Sequence, residues 1–277
     1  MSFRSRVVVV LFLGLASSTM PACKTTRAVS PADREKAQYQ YDLGVAALRE
    51  QKYRESLAEL LKGEQLNPED PRIQHALGLT YFVGFGRLDD AEKHLKRAIA
   101  LDTPENKELP AWSISDAQNA LGNVYIAKNQ CEKAIPLFEK AKSNLLWPTP
   151  HLAEQGLGWC LHKTGKTEQG IVHLKTAVNM HPDLCGGYDY LAQIYVDTQR
   201  DAEAILWLGR YLKQCDTDRL RKYVPPGQIP GNYYRLGMAQ LRTGDREGAR
   251  QTFATCVERF GQEEAAVACR KNLALLE

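Results

Sequence analysis

The sequence has little net charge. Over 277 residues, 36 Lys and Arg stand against 33 Asp and Glu, and the resulting +3 falls to +1 without the first 22 residues, which hold Arg4 and Arg6 and no acid. So even a balance gives no footing for a nucleic-acid or polyanion partner. The chain also lacks an apolar run long enough to span a bilayer: residues 7–16 are ten in number, about 15 Å as a helix, or roughly half of a hydrocarbon core. Catalytic patterns are missing too, with no His-Glu-x-x-His, Cys-x-x-Cys or Gly-x-Ser-x-Gly. His75, His94, His151, His162, His173 and His181 are dispersed. Cys160 and His162 would supply two metal ligands with no matching pair nearby, and Gly84-Phe85-Gly86 falls at a bend between helices rather than after a strand. No catalytic residue, metal, cofactor or small-molecule substrate is therefore expected, and the chain is read as no enzyme. Hydrophobic residues at 44% and charged residues at 25% match ordinary soluble proteins, which excludes long disorder, collagen and a multi-span membrane protein.

What is present begins at the N-terminus. Arg4 and Arg6 precede the run Val7-Val8-Val9-Val10-Leu11-Phe12-Leu13-Gly14-Leu15-Ala16, which is followed by small residues and Met20-Pro21-Ala22-Cys23. Basic, apolar and small residues in that order make an export signal. The segment resembles a bacterial lipoprotein signal, with Ala22 before a Cys23 that would become the lipidated first residue; Met20 and Pro21 depart from the usual Leu and Ala or Ser. By that resemblance residues 1–22 are the signal peptide and residues 23–36 the lipidated Cys and a tether. Lys24 follows, rather than the Asp that retains enteric lipoproteins at the inner membrane, which implies the outer membrane, facing the periplasm. Several acyl chains on one residue would hold the chain on the membrane far more firmly than a single myristoyl.

The rest of the chain repeats. Leu-Gly or a near equivalent recurs at Leu43-Gly44, Leu77-Gly78, Leu121-Gly122, Leu157-Gly158, Leu191-Ala192 and Leu236-Gly237, at spacings of 34, 44, 36, 34 and 45. Twelve or thirteen residues after each comes a second small residue: Ser56, Ala91, Ala134, Gly170, Ala204 and Ala249. Four further on stands a large apolar one, Leu60, Leu95, Phe138, Leu174, Leu208 and Phe253, and seven further on Gly63, Ala98, Ala141, Ala177, Tyr211 and Cys256. Such spacing suits a helical hairpin in which small residues let two backbones approach and the large residue fills the space beside them.

The pattern resembles the tetratricopeptide repeat. It implies an all-α fold, a right-handed superhelical solenoid of six hairpins over 37–262, with units near 37–70, 71–104, 115–148, 151–184, 185–216 and 230–262. Spacers lie at 103–113 and 216–232, and a capping helix over 263–277 carries Ala266, Cys269, Leu273 and Leu276 on one stripe. The Trp usual at the fourth repeat position is replaced by Gln40, Gln74, Gln118, Glu154, Tyr188 and Tyr233. An ordinary helical bundle would explain the helical period but not the fixed spacing of small pairs. The second spacer, with Arg219, Arg221 and Lys222, is either a solvated loop or a docking element.

Six Cys remain after Cys23, an even number that suits disulfides in an oxidising compartment. Hairpin geometry pairs Cys185 with Cys215 at the two ends of unit five, Cys256 with Cys269 on the cap, and leaves Cys131 with Cys160. The alternative is that they are buried small residues.

In this repeat the first helices line the concave wall with positions two, five, nine and twelve. Here those supply Tyr41, Val45, Leu48, Leu79, Phe82, Asn119, Asn123, Ile126, Trp159, Gln193, Tyr234, Met238 and Leu241, a candidate groove for a partner's helix or strand, apolar at its first two units. Signal, tether and six repeats together resemble the pilotin lipoproteins of type IV pilus systems, the PilF/PilW/Tgl family, and most the six-repeat Tgl type. The resemblance implies a partner in the pilus secretin, whose subunits would be brought to the outer membrane and assembled there. Another outer-membrane scaffold, for barrel assembly or cell-wall machinery, is the second reading, and an enzyme using the array as a frame the third.

Overall fold

A computed structural model describes residues 29–107 and 113–276; the expected signal peptide, Cys23, residues 24–28 of the tether and 108–112 of the first spacer lie outside them. Twelve helices pair into six antiparallel hairpins. These are α1 (Pro31–Arg49) with α2 (Tyr53–Leu66), α3 (Pro71–Leu79) with α4 (Leu88–Ala100), and, after the short α5 (Pro104–Lys107), α6 (Ile114–Ala127) with α7 (Cys131–Ser143). Next come α8 (Pro150–Lys163) with α9 (Thr167–Met180) and α10 (Cys185–Asp197) with α11 (Asp201–Cys215). After the short α12 (Asp218–Arg221) follow α13 (Gln228–Arg242) with α14 (Arg246–Phe260), and a turn of 3-10 helix leads into α15 (Val267–Ala274). The described residues hold no strand.

Local chemistry sets the ends. Proline opens α1, α3 and α8, where its missing N–H costs nothing, and the Ser30 and Asp70 side chains accept the first free amides of α1 and α3. The turn inside each hairpin needs one left-handed residue: Gly86, Gly165 and Gly244 serve in three units, while Gln51, Asn129 and Gln199 adopt φ of 60°, 55° and 55° in the others.

The small residues meet large ones. A Cβ on Gly44 would stand 2.5 Å from Leu60 Cγ, on Gly78 2.5 Å from Leu95 Cγ, and on Gly237 2.4 Å from Phe253 Cε1. The first-helix glycine is thus the socket for the large residue of the second helix. Direct small-on-small contact of backbones occurs at Gly158 and Gly170, where a Cβ on either would meet the other's carbonyl oxygen. Leu60, Leu95, Phe138, Leu174, Leu208 and Phe253 are all fully buried, and the apolar core runs the length of the stack.

Unit two departs from the others. Residues Thr80–Gly84 form one π-helical turn at the end of α3, and the added residue is why Gly78 and Ala91 are thirteen apart where the other pairs are twelve apart. Thr80 Oγ1 donates to the Ala76 carbonyl at 2.8 Å and lies 3.0 Å from Ser56 Oγ, so a side chain competes for a carbonyl of the helical ladder. Beyond the turn, Gly84 lies so close to Tyr53 that a Cβ would stand 2.6 Å from its Cγ.

In units two and four hydrogen bonds stand where the fourth-position Trp is usual. Gln74 donates to Glu64 of the preceding hairpin (2.9 Å), and its Oε1 lies 2.8 Å from His94 Nδ1 of its own second helix. Glu154 repeats the device, accepting from Lys142 (2.8 Å) behind it and lying 2.5 Å from His173 within its own unit. The second spacer contains α12 and is bound down: Arg219 pairs with Asp183 at 2.7 Å, and Asp216, almost fully buried, is gripped by Arg221 and Arg259. Its charge run is therefore largely spent within the molecule.

Candidate functional site

Successive first helices touch each other (α1 with α3, α6 with α8, α8 with α10, α10 with α13), and no comparable contact joins successive second helices among the described residues. First helices therefore form the inner wall of the curve. Between units two and three the described residues hold no comparable α3–α6 contact, and the join is made by α4 and α6. Glu92 of α4 centres that join, accepting from Lys128 (2.5 Å), Lys96 (2.6 Å) and the Tyr125 hydroxyl (3.0 Å). Hydrogen bonds from Lys128 and Lys96 hold its carboxyl down to about 2.

All the expected groove residues stand on first helices. Tyr41, Val45 and Leu48 on α1, with Leu79 and Phe82 on α3 and its π-turn, are half-buried and form an apolar stretch. The Arg72 guanidinium lies over the Tyr41 ring, 5.1 Å from its centre, and is held by Asp70 at 2.6 Å in a buried pair. Burial raises the Tyr41 hydroxyl's pKa. Asn123 and Ile126 on α6, Gln193 on α10, and Tyr234, Met238 and Leu241 on α13 are likewise half-buried.

Two groove residues need correcting. Asn119 and Trp159 are both only 9% exposed, so neither offers an open face. Trp159 is covered by Tyr190 of the next unit, stacked at 4.5 Å, and by Lys163 at 4.4 Å. It packs one unit on the next.

Other wall positions were missed. The same repeat register that selected Tyr41 and Tyr234 also selects His75, Gln155 and Asp189, and the register of Leu48 selects His162 and Val196. The signal was there in the spacing. Asn119 Oδ1 and Gln155 Oε1 are buried acceptors without a hydrogen-bond partner among the described residues, and they stand on neighbouring first helices. Burial holds the His75 imidazole down to about 4. Asp189 accepts from Asn232 at 2.7 Å and ties α10 to α13. Two shallow cavities lie off the wall: one of about 260 Å³ at Tyr188, Trp207 and Arg210, and one of about 430 Å³ at Tyr53, Gly84 and Phe85.

The sulfur atoms of Cys131 and Cys160, Cys185 and Cys215, and Cys256 and Cys269 are bonded. The first joins units three and four, the second closes unit five, and the third fixes the cap to unit six. Cys160 is thereby removed as a metal ligand, and no group of three metal-ligating side chains occurs among the described residues. No helix among them is long and apolar enough to cross a membrane.

A wall of this kind is a surface for a polypeptide. Sequence models described as tetratricopeptide repeats match residues 41–106, 115–143 and 232–262. Those segments are tetratricopeptide repeats, and the other hairpins of the stack share their helical build. Comparison with curated protein sequences finds no match. Among solved structures, PilW, described as a widely conserved type IV pilus biogenesis factor, superposes with a TM-score of 0.67 at 18% identity, over 83% of this chain and 96% of PilW. PilF of Pseudomonas aeruginosa gives 0.64 at 13% identity, over 87% of this chain and 99% of PilF. The anaphase-promoting-complex assembly Cut9–Hcn1 also gives 0.67, at 15% identity, but over only 43% of its own chain. At such identities the likeness is one of fold, and tetratricopeptide arrays are in general surfaces for binding proteins.

Proposed function

We propose that this protein is an outer-membrane lipoprotein of the pilotin kind, anchored through Cys23 and facing the periplasm, whose repeat array binds secretin subunits of the type IV pilus and promotes their localisation and multimerisation. Pilus biogenesis and pilus-dependent motility would require it. The observation that carries the reading is the end-to-end correspondence with two pilus proteins: this array accounts for 96% of PilW and 99% of PilF. Cut9–Hcn1, equally similar locally, is matched over less than half its length.

The mechanism is physical. A lipid anchor confines bound subunits to the membrane surface, which raises their effective concentration for assembly without any bond being made or broken. The half-buried apolar stretch Tyr41, Val45, Leu79 and Phe82 supplies contact area, and Asn123 and Gln193, half-buried on later first helices, supply polar groups.

The test is a deletion strain assayed for heat-resistant secretin multimers in the outer membrane, with total monomer measured in parallel. Loss of multimers with monomer retained is expected, and Leu79→Ala with Phe82→Ala should reproduce part of that loss. Normal multimers in the deletion strain would overturn the reading. They would leave the second one, a periplasm-facing repeat scaffold for other outer-membrane proteins or cell-wall machinery, which the shared fold of Cut9–Hcn1 keeps in view.

A further inference from the structure

The two most exposed large apolar side chains among the described residues stand together at one edge of the array. Every first helix runs from the edge that carries the loops between units to the edge that carries the turns within units, and every second helix runs back. The between-unit edge therefore holds the N-termini of the first helices, the C-termini of the second helices, and the loops 67–70, 144–149, 181–184 and 216–227. Hydrogen bonds between these loops and helix ends fix that alignment: Trp147 to Asp116 at 2.8 Å, Asn144 to Ser115 at 3.1 Å, and Gln214 to Asp183 at 2.8 Å.

Leu145 and Leu146, in the loop between units three and four, are 95% and 92% exposed. They are not loose. The Asn144 side chain accepts the Leu146 amide (3.1 Å), and Trp147 next to them is buried. A rigid turn thus holds two leucines out into solvent. Met180, the last residue of α9, and Tyr223, in the loop after α12, stand exposed at the same edge, and the Lys222 ammonium lies over the Tyr223 ring at 5.0 Å. Lys140 is exposed one turn before the leucines.

The chain enters at this edge as well, because α1 starts there at Pro31. Cys23 and Pro31 are only eight positions apart, a covalent reach of at most about 28 Å. A lipid on Cys23 would hold this edge, where the tether joins the array, nearer the bilayer than the opposite one. We propose that the array rests on the membrane by its between-unit edge, with Leu145 and Leu146 inserted among the headgroups and Tyr223 and Lys222 at the interface. The proposal rests on the lipid-anchor reading of Cys23. A leucine pair on a fixed turn, with an amphipathic aromatic and cations beside it, is the chemistry of interfacial contact. This orientation stands the wall of first helices on end over the membrane, open toward the periplasm along its length.

The test uses the full chain, processed in its bacterial host and reconstituted in phosphatidylethanolamine–phosphatidylglycerol vesicles. Tryptophan is placed at Leu146→Trp, or at Lys166→Trp on the opposite edge, and fluorescence is compared with the parent protein with and without brominated lipid. Loss of the added fluorescence at position 146 and none at 166 is expected. If both chains float with the vesicles and neither is quenched, the resting edge is wrong while the anchor stands. If the chain does not float at all, the anchor reading fails and the proposal with it. If position 146 is shielded from acrylamide only when secretin is added, and is indifferent to brominated lipid, a protein covers the leucines and the membrane proposal is overturned. Both sites are exposed in the fold, so circular dichroism should be unchanged in either variant.

Discussion

At the residue scale the glycines on the first helices decide how closely each hairpin closes. Gly158 is the least forgiving of those facing a second helix, since an added Cβ would stand 2.6 Å from Leu174 Cγ and also 2.7 Å from the Gly170 carbonyl oxygen. A leucine tip can move aside, but a backbone carbonyl cannot, so Gly158→Ala should cost about 3 kcal/mol, at the upper end for overpacking. Gly44→Ala meets only the Leu60 side chain at short range and should cost closer to 1 kcal/mol. Urea denaturation of the two variants checks the order; equal costs would mean the hairpins are not closed as described. The left-handed turn residues make a prediction of opposite sign. Gln199 sits at φ 55°, a conformation that strains a side chain with a Cβ. Gln199→Gly should stabilise by up to about 1 kcal/mol, and Asn129→Gly by less, because asparagine tolerates this region. A loss of stability in both would show that the turn is held by the side chains instead.

At the element scale each hairpin depends on its neighbours, and the disulfides are distributed unevenly. Units one and two have none, while Cys131–Cys160 and Cys185–Cys215 join residues 29 and 30 apart. Loops of that size are worth about 3 kcal/mol through the unfolded chain. Replacing Cys131 and Cys160 together by Ser should therefore lower hydrogen-exchange protection in α6 to α9 and leave α1 and α2 nearly unchanged, as expected where stability passes only between neighbours. Uniform loss along the chain would show one cooperative block. This scale is also where the sequence was most legible. The six hairpins follow from triplets such as Gly122, Ala134 and Phe138, because the spacing records the glycine socket that receives the large residue of the second helix. The π-turn in unit two left its mark as a thirteen where the other units have twelve, but a one-residue difference in spacing does not say whether the turn or the helix holds the extra residue. The buried state of Trp159 was not legible, since it is made by Tyr190 of another unit, and a repeat position says which wall a residue faces but not what its neighbour covers. His75, Gln155 and Asp189 sit in the same register as Tyr41 and Asn119 and were as legible there.

For the whole molecule, proton uptake sets the conditions under which the stack holds. His75 is held down to about 4, chiefly by burial, and burial lowers His94, His151 and His162 as well. A histidine whose pKa is lower in the folded state than in the unfolded chain takes up its proton first when unfolded. The stability it contributes is complete above its unfolded pKa near 6.5 and declines as pH falls toward 4. Glu92 acts lower down: its folded pKa of about 2 contributes stability above the unfolded value near 4.5 that is lost between 4.5 and 2. The array should therefore be level in stability from pH 8 to 7, weaken between 6.5 and 4 as the histidines charge, and weaken again below 4.5 as the α4–α6 join lets go. His75 keeps part of its surface open, so its share of the first step is taken as about 2 kcal/mol, short of the full shift. Urea titrations at pH 7.5, 6, 5 and 4 measure the first step. His75→Gln, which cannot charge, should flatten it by that amount and leave the second step in place, whereas Glu92→Gln should remove the second and spare the first. A His75→Gln protein with the parent's slope between 6.5 and 4 would move the titration to the other buried histidines and leave the wall of units two and three indifferent to acid.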